Sequence, residues 1–75
     1  MNTLKFDLNE LRGRITSKYG NQRNFASAIK SNPTRVSNIL NGRAYLDTRE
    51  IMEWSGMLDI DIDYIPYFFF RLEVY

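Results

Sequence analysis

The sequence contains no cysteine and no histidine. The first absence excludes a disulfide framework and fits a chain kept in a reducing compartment. Together the two exclude Cys/His zinc sites, and the second removes the side chain most used for proton transfer near neutral pH. Long apolar runs are missing as well. The longest, IPYFFF at 65–70, is far too short to cross a bilayer, and the first residues carry no signal-peptide pattern. No nucleophile–base pair, phosphate-binding loop or metal cluster is legible, so neither an enzyme nor a cofactor is expected. DIDID at 59–63 spaces three carboxylates like the start of a calcium loop, but Tyr64 stands where glycine is needed and Phe70 where the closing glutamate is needed. The expectation is a small soluble cytoplasmic domain with no metal site and no membrane partner.

Acidic residues are absent from one long stretch. Between Glu10 and Asp47 there is none, against seven Lys/Arg. Residues 1–49 hold nine basic residues and three acidic ones, whereas residues 50–75 hold Arg71 alone against six acids. The net charge of +1 hides this polarity. It predicts a basic face suited to a polyanion and an acidic face turned away from it.

What is present is regularly punctuated. Seventy-five residues make a single domain, 1–75. Asp7, with Glu10 and a Phe6/Leu11 staple, predicts a capping box at the start of a first helix lined by Leu8, Leu11, Ile15 and Tyr19 and ended by Gly20. Asn21 can cap a second helix carrying Phe25, Ala26, Ala28 and Ile29. NPTRVSNILNG at 32–42 reads as a third, with Asn32 as cap, Pro33 at the first position and Gly42 as the left-handed stop. Val36, Ile39 and Leu40 give it one apolar stripe, leaving Thr34, Arg35, Ser37, Asn38 and Asn41 to face outwards. A fourth helix starts at Asp47 with Glu50 and a Leu46/Ile51 staple, and buries Ile51, Trp54 and Leu58. Asp61 can cap one further turn, with Pro66 arguing against a long helix. YFFFRLEVY at 67–75 alternates like a strand, Phe68, Phe70, Leu72 and Val74 facing one way and Phe69, Arg71, Glu73 and Tyr75 the other. Leu4 and Phe6 offer it a mate within the chain, and a second copy offers another.

Helices two and three together, QRNFASAIKSNPTRVSNILNG at 22–42, resemble the helix-turn-helix of the Cro/cI class of temperate-phage regulators. The run through helix four, Leu-Asp-Ile at 58–60 and IPYFF extends the resemblance to small Cro-like or modulator-of-repression proteins over about residues 8–70. The resemblance implies an all-α, lambda-repressor-like bundle of about five short helices, to which the pattern above adds a short C-terminal extended segment. It also implies action in the cytoplasm of a bacterial host. Ala26 takes the place of the small residue at the helix crossing, and Ile29, Val36 and Ile39 the buried positions. Lys30 and Ser31 depart from the usual glycine and apolar residue of the turn, and Pro33 stands where relatives often send a polar side chain to a base.

Two functions remain open on this reading. The leading one is a regulator that binds double-stranded operator DNA as a dimer through the helix at 33–41. Thr34, Arg35, Ser37 and Asn38 would face base edges, and Gln22, Arg23, Asn41 and Arg43 the phosphates. The alternative is an antirepressor whose same face inactivates a partner phage repressor.

Overall fold

The computed structural model describes residues 4–74. In chain order these form β1 (Leu4–Phe6), α1 (Asn9–Tyr19), α2 (Gln22–Ala28), α3 (Pro33–Leu40), α4 (Thr48–Met57), a 3-10 turn (Ile62–Tyr64), α5 (Ile65–Phe69) and β2 (Leu72–Val74). Among the described residues no helix is long and apolar enough to cross a membrane. Five short helices surround one core, and the two terminal strands close on each other beside it.

Local chemistry sets most of the boundaries. Asn21 accepts from the Asn24 amide at 2.7 Å, and Asn32 from the Arg35 amide at 2.7 Å. Asp47 and Glu50 form a reciprocal capping box at α4, each side chain accepting from the other's backbone N–H. The first helix departs from its predicted start. Asp7 Oδ1 accepts from the Asn9 amide at 3.0 Å, two residues on, and makes no box with Glu10. The Asp7 amide is meanwhile bound to the Arg71 carbonyl at 2.6 Å, which extends the sheet ladder and holds this residue outside the helix.

Three helices are closed by a residue in the left-handed conformation, α2 and α3 with a pair of backbone bonds and α4 with the longer bond of that pair. After α3 it is Gly42 (φ 78°), with Gly42 N–H donating to Ile39 and Arg43 N–H to Asn38. After α2 it is Lys30 (φ 58°), with bonds to Ser27 and, from Ser31, to Ala26. After α4 it is Asp59 (φ 56°), with Ile60 N–H returning to Ser55. Lys30 therefore performs the glycine's turn with a side chain, at a cost of about 1 kcal/mol.

The core gathers Leu11 and Ile15 from α1, Phe25 and Ala26 from α2, Val36, Ile39 and Leu40 from α3, Trp54 from α4, Leu58 and Ile60 just beyond it, and Phe68 and Phe69 from α5. Phe25 is its hub, edge-on to Trp54 with centroids 4.9 Å apart and tilted against Tyr19 at 5.3 Å. Tyr19 keeps its hydroxyl satisfied by donating to the Met57 carbonyl at 2.9 Å.

The C-terminal segment is shorter than its alternation predicts. Residues 67–69 are helical, not extended, and the strand covers only Leu72–Val74. Phe68 and Phe69 are both buried, which adjacent residues of a helix can achieve and adjacent residues of a strand on one core cannot. Pro66 stands in the first turn of α5, where its missing N–H costs nothing, and the helix it opens is short, as expected, at five residues. The strand's mate is β1, antiparallel, pairing Leu4 with Val74, Lys5 with Glu73 and Phe6 with Leu72. Tyr75, expected on the strand's second face, lies outside the described residues.

Two stability measurements follow. Lys30→Gly is expected to raise the unfolding free energy by up to about 1 kcal/mol in urea titrations, and Lys30→Val to lower it, because a β-branched residue resists positive φ. Asp59 is held below the ordinary carboxylate range, first by its hydrogen bond from Lys18 and then by that ammonium's charge. A depressed folded-state value stabilises above the unfolded pKa and is lost as pH falls through the folded one. Stability should therefore drop on acidification below roughly pH 4, and Asp59→Asn should flatten that part of the profile.

Candidate partner-binding face

The helix-turn-helix places α3 across the end of α2, with Val36, Ile39 and Leu40 inward. Thr34 is exposed, whereas Ser37 and Asn38 are half-buried. The Asn38 carbonyl accepts from the amides of Arg43 and Ala44 at 2.8 and 3.3 Å, tying the following loop to the helix end. Ser37 Oγ accepts from the Asn41 amide group at 3.3 Å. Asn41 Oδ1 accepts in turn from Arg12 at 2.8 Å, so this proposed phosphate contact is drawn back onto α1. Gln22 is half-buried at the start of α2, while Arg23 and Arg43 are exposed.

Arg35 differs most from its expected place. Its Nη2 and Nε donate to the two carboxylate oxygens of Glu50 at 2.6 and 3.2 Å, and Nη2 also reaches the Tyr45 carbonyl at 3.3 Å. The side chains of the pair are 39% and 24% exposed, intermediate between solvent and core. The Glu50 hydrogen bond, followed by its charge, makes the guanidinium hold its proton still more tightly than usual. Such a two-pronged contact fixes both position and plane. Arg35 is thus turned towards α4 and the α3–α4 loop, away from the side shared by Thr34 and Ser37.

The charge polarity of the sequence is partly cancelled in space. Glu50 matches Arg35, Asp59 matches Lys18, and Arg14 donates to the Leu58 and Asp59 carbonyls at 2.8 and 3.2 Å. Around α2 and α3 this leaves Arg23, Lys30 and Arg43 without a carboxylate partner among the described residues. Sequence reasoning passed over Tyr45, whose ring stands exposed on the loop beside α3, edge-on to Phe6 at a centroid distance of 6.5 Å. Its place between two helix signatures marked it only as loop.

Comparison with known proteins fits this geometry. The family described as "Protein of unknown function (DUF739)" matches residues 4–72. The chain belongs to the DUF739 family. The solution structure of the modulator of repression (MOR) of the temperate bacteriophage TP901-1 from Lactococcus lactis aligns with it at a TM-score of 0.78 and 35% identity. That alignment covers 87% of this chain and 88% of the phage protein. No curated protein sequence matches the chain. The chain is accordingly a homologue of a phage regulatory protein and not of an enzyme, and the bundle of five short helices implied by the resemblance holds, with the two short strands beside it.

Glu50 serves both the capping box and the Arg35 pair, so its loss should cost more than the loss of its partner. In urea denaturation, Glu50→Ala is expected to cost about 1–2 kcal/mol and Arg35→Ala clearly less. The double variant should fall short of the sum, because the single substitutions remove the same contact.

Proposed function

We propose that this protein modulates repression in a phage switch by binding a repressor protein through the face formed by α2 and α3. The observation that carries the reading is the diversion of Arg35. A helix that reads DNA gains most from an arginine directed at guanine, and here the arginine of α3 is committed to Glu50. Ser37 and Asn41 are likewise engaged with each other, and Asn41 with Arg12. What α3 presents is a short, pre-ordered polar surface, suited to a protein partner that closes over it and excludes water. Similarity to the TP901-1 protein, a modulator of repression, supports the same reading.

DNA remains the second reading on one specific observation. Arg23 and Lys30 of the motif, and Arg43 just after it, have no acidic partner among the described residues, as phosphate contacts would require. On that reading Thr34, Ser37 and Asn38 read bases, and Gln22 and Asn41 join the arginines at the backbone.

The two readings part in a binding experiment with the purified repressor and operator of the same phage. Repressor binding is expected to survive Arg23→Ala almost unchanged and to depend weakly on salt. Operator binding by this protein alone is expected to be absent at about 150 mM salt. Tight operator binding that falls steeply with salt, and that weakens by about 1–3 kcal/mol in Asn38→Ala only on the specific site, would instead establish the DNA reading.

A further inference from the structure

Beside the C-terminal end of α3 lies a groove of about 520 Å³ lined by apolar and polar groups together, within the size range of sites that receive ligand or partner side chains. Leu40 and Phe69 are buried at its lining, while Tyr45, Phe70 and Leu72 line it at 73%, 46% and 57% exposure. Phe6 stands between Tyr45 and Phe70, edge-to-face with both at 6.5 and 5.8 Å, so the aromatic wall is already ordered. The three exposed side chains come from the α3–α4 loop, the residue after α5 and β2, and no element among the described residues covers them. Leaving large apolar groups so exposed on a small domain marks an interaction surface.

The groove's charge narrows what fits it. Arg12 lines it, donating to the Leu40 carbonyl at 2.5 Å, to Asn41 Oδ1 at 2.8 Å and to Asn9 Oδ1 at 3.5 Å. Every one of those acceptors is neutral, so the guanidinium has no carboxylate partner among the described residues. Asp7 also lines the groove, with one oxygen occupied by the Asn9 amide. Exposed Arg43 lies in the chain between lining residues Gly42 and Ala44. Arg12 and Asp7 are thus the two charges of the lining, and of the two it is the guanidinium of Arg12 that is held only by neutral acceptors.

We infer that this groove is the second half of the repressor-binding surface, and that it takes an apolar side chain flanked by a carboxylate on the repressor. The inference rests on the reading under Proposed function and deepens it. Asn41 and Gly42 close α3 and also line the groove, so one partner segment can pass from the helix face into it. Arg35 acts as a positioning residue, since its bond to the Tyr45 carbonyl holds the loop that carries the ring. Tyrosine in such a place supplies large contact area with little rotamer entropy to lose, the usual character of a residue that dominates an interface.

The test measures the affinity of the full chain for the purified repressor of its own phage by calorimetry. Sedimentation and operator gel shifts are run on the same samples. Tyr45→Ala is expected to weaken the complex by about 30-fold or more, and Leu72→Glu by at least as much through the added like charge on the repressor's carboxylate. Both positions are exposed, and unchanged far-UV circular dichroism and thermal midpoint confirm that the fold survives. Wild-type affinity in both variants overturns the groove while leaving the α2–α3 reading intact. No complex with the unaltered protein overturns both. A self-association lost in Tyr45→Ala with repressor affinity unchanged assigns the groove to a second copy and overturns the inference. Loss of operator binding alone does the same in favour of DNA.

Discussion

The guanidinium of Arg35 is gripped by both carboxylate oxygens of Glu50, and Glu50 at the same time closes the first turn of α4. One carboxylate therefore joins the exposed helix of the motif to the helix behind it. Through the Tyr45 carbonyl the same arginine also holds the loop between them. The surface offered beside α3 depends on this linkage. It withdraws the charged side chain best suited to a base edge and sets an aromatic ring in its neighbourhood. A bidentate pair at intermediate exposure avoids the full desolvation cost of a buried one and escapes much of the screening of a surface one.

Charge shows how sequence order and space differ here. The acid-free stretch from 11 to 46 suggests an unbroken basic face, yet acids from beyond Asp47 fold back onto it at Arg35 and Lys18. What survives around α2 and α3 is Arg23, Lys30 and Arg43 without a carboxylate partner among the described residues. Such charges can steer a partner without supplying most of the binding energy, which for protein contacts comes from a few central side chains. The uncovered apolar wall formed by Phe6, Tyr45, Phe70 and Leu72 adds a second source of affinity that phosphates could not use.

The parts of the fold legible in the sequence are those decided within a few residues. Asn21, Asn32 and Asp47 cap their helices because each needs only a nearby backbone amide, and the stripes of α1, α3 and α4 follow from helical period. The third helix and its Gly42 stop were readable for the same reason. The Asp7–Glu10 box failed because the Asp7 amide that Glu10 would have accepted from is claimed by the Arg71 carbonyl, 64 positions along the chain. Phe68 and Phe69 read as strand because an aromatic run has no helical period of its own, and only the core's location decides that both turn inwards. The site was legible in the same uneven way. Its polar residues could be placed on one helix, but the Arg35–Glu50 pair depends on how α3 and α4 cross. The groove, assembled from both strands, a loop and α5, has no signature in any one segment.

The central claim is that Arg35 belongs to the protein's own framework and not to a nucleic acid. The most direct measurement follows the Nε–H resonance of Arg35 in nitrogen-15 spectra while operator DNA is added, and separately while repressor is added. A resolved, slowly exchanging signal is expected, one that DNA leaves in place and that persists in the repressor complex with Glu50 still its partner. A signal that shifts progressively with DNA, and that loses its coupling to Glu50 as the operator saturates, would show the arginine leaving α4 for a base and would contradict the account.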